Sequence, residues 1–320
     1  MAELTPGDGR DGWERNVLQK VALAAVAEQR AARRWGMLFK GLILLYLFLV
    51  LAAGMGWIKR GGDKSSGKHT ALVELRGVIS AESQASADNV TSGLQAAFKD
   101  TNTQGVILRV NSPGGSPVQA GYINDEMKRL RGLYPNIPLY VVVEDICASG
   151  GYYVAVAADK IYVDKASIVG SIGVVMDSFG FTGTMEKLGV ERRAITAGEN
   201  KKFLDPFSPI NPAHKEYAEK MLGEIHQQFI SVVKEGRGKR LKESPDMFSG
   251  LVWVGSKSVE LGLADAIGNV DSVARDVIKA EDVVDFTPRE NIAERVARRF
   301  GATMAEALVK LTTTGVGQLR

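Results

Sequence analysis

The stretch Cys147-Ala148-Ser149-Gly150-Gly151-Tyr152-Tyr153 follows an apolar run. It reads as a strand ending in a tight turn with a helix beginning at a serine, which is where an enzyme could hold a nucleophile. A serine hydroxyl is a poor nucleophile without a base, and His69, His214 and His226, the three histidines of the chain, lie far from it in sequence. A second glycine turn, Asn111-Ser112-Pro113-Gly114-Gly115, also follows an apolar run. Glycine lets a backbone approach a ligand closely with its N–H groups turned outward. The N–H groups of Gly114 and Gly150, brought to one point, would form an oxyanion hole for acyl transfer, and a helix start adds a favourable field for negative charge. The same residues read equally well as an N-cap serine and two ordinary turns.

The missing base decides between these readings. Lysine serves when burial disfavours its ammonium form and lowers its pKa. Thr196-Ala197-Gly198-Glu199-Asn200-Lys201-Lys202-Phe203-Leu204-Asp205-Pro206-Phe207 offers Lys201 and Lys202 between a glycine turn and several apolar side chains. From the residues alone, a solvated lysine pair is the preferred reading. Phe203, Leu204 and Phe207 suit either the wall of a substrate groove or, preferably, packing in an interface.

Composition narrows the remaining classes. Cys147 is the one cysteine, so there is no internal disulfide framework and no cysteine metal site; two residues before Ser149, it reads as a small packed hydrophobe. The histidines form no ligand pair, so no metal and no cofactor is expected. His214, just after Pro212, reads as a surface residue. A net charge of +3 without a basic, aromatic-interleaved stripe argues against nucleic acid.

The elements that must position these residues alternate. Strands are expected at 71–79, 105–110, 138–143 and 160–163, with helices at 86–99, 118–131 and 149–158. Such alternation means βαβ units, and the continuous apolar strands mean burial on both faces. Ligands bind beyond the carboxyl ends of strands in such sheets, so both glycine turns should share one crevice. Further on, short strand and helix signals precede a long helix over 213–235, a turn and helix over 250–268, and a helix near 270–279.

Upstream, Gly41 to Ile58 carries no charge, about the length that crosses a bilayer, and Trp35 and Trp57 flank it as interfacial aromatics do. Arg30, Arg33, Arg34 and Lys40 before the run balance Lys59, Arg60, Lys64 and Lys68 after it, so charge leaves the orientation open. The expected layout is an amphipathic helical segment over 1–35, a transmembrane anchor over 36–58, a flexible linker over 59–69, a folded domain over 70–285 and a charged helical tail over 286–320.

The ordered set "VNSPGG", "ASGGYY", "GSIGV", a Gly-x-x-Lys segment followed by Asp-Pro-Phe, and "LVWVGSKSVELGLADAIG" strongly resembles the bacterial signal peptide peptidase A family, membrane-anchored Ser/Lys peptidases of the S49 type. The resemblance covers about residues 70–275, and the upstream helix and anchor resemble the short proteobacterial form. "SPGG" alone is weak, being shared with the caseinolytic protease ClpP and crotonase-like acyl-CoA enzymes. The resemblance implies an α/β fold of stacked, ClpP/crotonase-like βαβ units behind one N-terminal transmembrane helix. It implies Ser149 as nucleophile, Lys201 as general base in preference to the adjacent Lys202, Ser171 as the serine orienting the lysine, and Gly114 and Gly150 as oxyanion donors. It further implies an N-terminus in the cytoplasm and a catalytic domain outside it, on the bacterial inner membrane. It implies a homo-oligomer, an octamer, in which the lysine of one copy completes the site of another. Cleaved signal peptides and other short hydrophobic peptides are the implied substrates. The competing readings are a crotonase-type acyl-CoA enzyme, which needs neither the serine nor the anchor, and a non-catalytic scaffold of the same fold.

Overall fold

The structure is a computed structural model and describes residues 10–54 and 67–288. Two units are described separately, a single helix and a folded body within residues 63–288.

The helix, α1 (Arg10–Gly54), runs without interruption for 45 residues, about 68 Å at 1.5 Å per residue. It joins the two segments the sequence separates, the amphipathic stretch and the start of the apolar run. From Gly41 to Gly54 the uncharged part rises about 21 Å, short of the roughly 30 Å hydrocarbon core. Among the described residues no helix is long and apolar enough to cross a membrane. The end of the expected anchor (55–58), most of the linker and the charged tail from 289 lie outside the described residues.

The body is a mixed α/β fold around one sheet. Its first half is β1 (His69–Arg76), α2 (Ala87–Lys99), β2 (Thr103–Ser112), α3 (Pro117–Leu133), β3 (Leu139–Ala148), α4 (Gly150–Ala155) and β4 (Lys160–Val163). β1, β2 and β3 pair in parallel in sequence order, the outcome that alternating strand and helix signals dictate. Ser86 caps α2 by accepting from the Asn89 N–H, and Ser116 with Pro117 starts α3. Strand residues alternate between faces with period two. Val73, Leu75, Val106, Leu108, Val110, Val141 and Val143 pack in the main core with α2, α3 and α4. Leu72, Ile107 and Val142 face the other way, against Tyr162, Val273 and Ala274. Burial on both faces explains why these strands read as unbroken apolar runs.

The second half is β5 (Ile168–Gly170), α5 (Thr182–Lys187), α6 (Pro212–Arg237), β6 (Val252–Val254), α7 (Gly255–Glu260), β7 (Ala266–Ile267), α8 (Val270–Ser272) and β8 (Val283–Asp285). β3 extends past its expected end at Val143, and its two halves serve different neighbours. Tyr140–Val142 pairs with β4, while Ile146–Ala148 pairs with β5. β5 carries antiparallel β6, and β4 carries β7. This division brings β5 alongside the end of β3 that leads to Ser149.

Three features differ in detail from the expected layout. The expected helix near 270–279 forms as α8 (Val270–Ser272) running on into a π-helical turn over Val273–Ile278. β8, parallel to β1, was not expected, because three residues carry no periodicity. Of the stretch 168–176 only Ile168–Gly170 is strand; beyond it the chain runs irregularly, with α5 burying none of its residues.

Candidate active site

Ser149 stands between β3 and α4 with φ 50° and ψ −124°. A non-glycine residue there carries strain of about 1–3 kcal/mol and persists only when its surroundings impose it. Here they do. The Ser149 N–H donates to Gly170 O at 2.8 Å, and the Tyr153 N–H donates to Ser149 O at 3.0 Å. The next turn is fixed by fully buried Tyr152, whose hydroxyl donates to Leu263 O at 2.8 Å. Ser149 occupies the N-cap position but its side chain makes no capping hydrogen bond. The N-cap reading is therefore set aside, and the Oγ is left for other work.

The Gly114-Gly115 turn packs directly on this elbow. A Cβ on Gly114, at φ 101°, would lie 2.7 Å from both the Ser149 Cβ and the Gly150 N. The turn is locked by Ser112, which sequence reading passed over as part of a motif. Its Oγ donates to Gly77 O at 2.6 Å and accepts from the Gly114 N–H at 3.1 Å. That bond corrects an expectation: the Gly114 N–H is used inside its own turn. The neighbouring Gly115 N–H donates to no protein acceptor among the described residues, and neither does that of Gly150. A Cβ on Gly150 would lie 3.3 Å from the Gly115 N, so these two free donors sit side by side. Only the local bonding of Ser112 distinguishes one glycine of the pair from the other.

Ser149, Gly150 and Gly115 open onto a cavity of about 350 Å³, and Ser171 lines it too. Ser171 follows β5 with φ 52°, its N–H donating to Leu251 O at 2.7 Å. The pairing of β5 with the end of β3 is what brings the two serines to one cavity. Pro117, Ala120, Val174, Val175, Ile225 and Phe229 supply apolar walls. Among the described residues Tyr153 is the one titratable side chain in the lining, and burial pushes its phenol upward, with Asp125 and Glu235 adding to the effect. It therefore holds its proton. Among the described residues, this chain places no histidine, carboxylate or amine in the lining around Ser149.

The lysines stand elsewhere. Gly198 (φ 99°) turns the chain, and the Lys201 N–H donates back to Gly198 O at 3.2 Å. Lys201 is exposed, whereas Lys202 is half-buried and lines a separate cavity of about 690 Å³ beside Asp205. Phe203 meets the His214 and Tyr217 rings, Phe207 stacks on Phe181, and Leu204 lines the Lys202 cavity. None of the three lines the Ser149 cavity of its own chain. Cys147 is buried beneath the elbow, and burial pushes its thiol far upward, so it is held as an inert hydrophobe.

Comparison with known proteins adds a family. Residues 133–284 match the model of peptidase family S49, a span that contains Ser149, Ser171 and Lys201. A stretch of 182 residues, 57% of the chain, is 46% identical to the Na(+)/H(+) antiporter NhaA of Brucella melitensis and covers 25% of that protein. Over 219 residues, 67% of the chain, it is 31% identical to Protease 4 of Haemophilus influenzae and covers 35% of it. Over 233 residues, 70% of the chain, it is 28% identical to the "Putative signal peptide peptidase SppA" of Enterococcus faecium and covers 67% of it. The chain thus spans a quarter of the first and about a third of the second, and the activity in each name stays with that whole protein.

Proposed function

This chain belongs to peptidase family S49, and on that premise we propose that it is a membrane-anchored serine endopeptidase whose Ser149 is activated by Lys201 of another copy. The observation that carries the reading is the cavity itself. It joins a strained serine with a free Oγ, two unused backbone donors and a second serine, yet among the described residues of this chain none brings a base to its lining. A serine so prepared needs a base from outside, and an exposed lysine on an exposed segment is suited to supply it.

In the proposed reaction, neutral Lys201 takes the Ser149 proton as Oγ attacks a peptide carbonyl. The N–H groups of Gly150 and Gly115 receive the developing oxyanion, Gly115 taking the place first expected of Gly114. Lys201 then protonates the leaving amine and activates water against the acyl-enzyme, with Ser171 orienting the amine. Lys202 is the weaker candidate, since it faces its own segment's cavity. Entry into a neighbour's apolar cavity would desolvate the ammonium and favour the neutral base.

A homo-oligomer, in the octameric form the resemblance implies, is supported by the segment that carries the lysines. Phe179 (78% exposed), Leu188 (72%) and Ile195 (101%) are exposed along it, and several exposed large apolar groups on one segment suit an association surface. The apolar cavity walls suit hydrophobic peptides, including cleaved signal peptides, as substrates. An anchor at 36–58 is supported by Leu42 through Leu49, each about half exposed or more around the whole helix, a pattern expected of a lipid-facing helix rather than an amphipathic one. The proposed placement is the bacterial inner membrane, with the N-terminus cytoplasmic and the body outside. The stacked βαβ, ClpP/crotonase-like description of the body belongs to the same proposal.

The test is covalent labelling. A fluorophosphonate should modify Ser149, mapped by mass spectrometry, and Lys201→Ala should abolish the labelling while Lys202→Ala retains it. An unlabelled Ser149 in the intact oligomer would favour the scaffold reading instead.

A further inference from the structure

The turn that carries the lysines is tied to α6 by a histidine that the dyad chemistry leaves unused. His214 Nε2 lies 3.0 Å from Asn200 Oδ1. An amide oxygen only accepts, so Nε2 carries the proton and donates. The same ring packs 5.3 Å from Phe203, which meets Tyr217 edge-on at 5.7 Å. Asn200 precedes the lysine pair and Phe203 follows it, so both ends of the Lys201-Lys202 step are held to the first turns of α6. The Lys201 side chain itself takes no part in these contacts and stays exposed.

α6 is a firm reference. Asn211 caps its start by accepting from the Ala213 N–H at 2.9 Å. Its middle meets the Ser149 side of the body, where Phe229 lines the cavity and His226 Nε2 donates to Ile172 O, next to Ser171, at 3.1 Å. Its far end is fastened by buried Arg237, bonded to Asp265 and Gly262 O at 2.8 Å each.

We propose that His214 is a positioning residue for Lys201. Through Asn200 it fixes the backbone from which the lysine projects, relative to the body of its own copy, from which the side chain reaches toward a neighbour's serine. The proposal rests on Lys201 being the base. Proton transfer from a serine requires the amine within about 2.6–3.2 Å, and a displacement of about 1 Å costs on the order of 100-fold in rate. A lysine on a four-carbon stem needs its own backbone held to meet that tolerance.

The experiment uses the full chain in detergent and a fluorogenic N-blocked apolar dipeptide amide. His214→Phe keeps a ring against Phe203 but has no donor, His214→Gln keeps a donor, and Asn200→Ala removes the acceptor. His214→Phe and Asn200→Ala should each lower kcat about 10- to 100-fold, as a misplaced reacting group does, with KM within about twofold. Their double variant should be no worse than either alone, because both break one interaction, and His214→Gln should recover most of the loss. Circular dichroism and oligomer size should stay unchanged. Wild-type kcat in His214→Phe beside an inactive Lys201→Ala would overturn the positioning role alone. Losses that multiply in the double variant, or that glutamine fails to recover, would overturn it as well. Wild-type kcat in Lys201→Ala would overturn the dyad and this role together.

Discussion

Gly114→Ala is the sharpest probe of how the elbow is held. The added methyl would lie 2.7 Å from the Ser149 Cβ, 2.7 Å from the Gly150 N and 2.8 Å from Ala148 O. These are backbone atoms and a first side-chain carbon, so no flexible end can swing away. Alanine at φ 101° adds conformational strain of about 1–3 kcal/mol, and overpacking adds about 1–3 kcal/mol more. The expected loss is therefore about 2–6 kcal/mol if the elbow stays in place, and less if it yields. At about 2–4 °C per kcal/mol for a body of this size, Tm should fall by at least several degrees. Where the elbow yields, Ser149 shifts, and its fluorophosphonate labelling should slow by on the order of 100-fold. Gly121→Ala is the control: its Cβ would meet nothing within 4 Å, and alanine within helix α3 should stabilise by up to about 1 kcal/mol. Labelling rates by gel fluorescence and Tm by calorimetry decide the matter. Wild-type values of both in Gly114→Ala would refute the claim that the turn presses on the nucleophile.

Two further outcomes follow from the same geometry. If sites are shared between copies, co-refolded mixtures of Ser149→Ala and Lys201→Ala chains should regain peptide hydrolysis that neither has alone; a mixture as dead as its parents in a confirmed hybrid oligomer would exclude sharing. The Arg237–Asp265 pair should make the body acid-sensitive. Burial opposes the Asp265 charge, but the Arg237 hydrogen bond and charge, the Ile161 N–H and Arg240 outweigh it and hold the carboxyl below its ordinary value. A depressed carboxyl contributes stability that is fully present above the ordinary value, near 4, and is lost as pH falls through the folded one. Asp265→Asn should flatten that acid-side loss in a denaturant titration. It should also cost about 3–5 kcal/mol at neutral pH by leaving Arg237, 1% exposed, with an uncompensated charge; unchanged stability at both pH values would remove the pair from the account.

Much of the body was legible in the sequence because its signals are local. Apolar runs at strand length, separated by helical stretches, require parallel pairing in order, and β1 to β3 follow it. Serine at the end of an apolar strand before two glycines marks a sharp elbow, and Ser149 has the backbone of one. Other features depended on partners far along the chain. No pattern within the Gly114-Gly115 pair says which N–H is free; the Ser112 hydroxyl, itself set by Gly77 O, decides it. Nothing in "ENKK" says which lysine is exposed; the packing of Leu204 and Asp205 around a separate cavity draws Lys202 inward. His214 read as a surface residue because its acceptor, Asn200, is brought to it only when the turn folds back on α6. Sequence by itself determined which residue types stand at which strand ends, since that is a matter of short-range periodicity and turn chemistry. Tertiary structure decided which polar groups were left unpaired, since a donor is free or used according to neighbours that only the fold supplies.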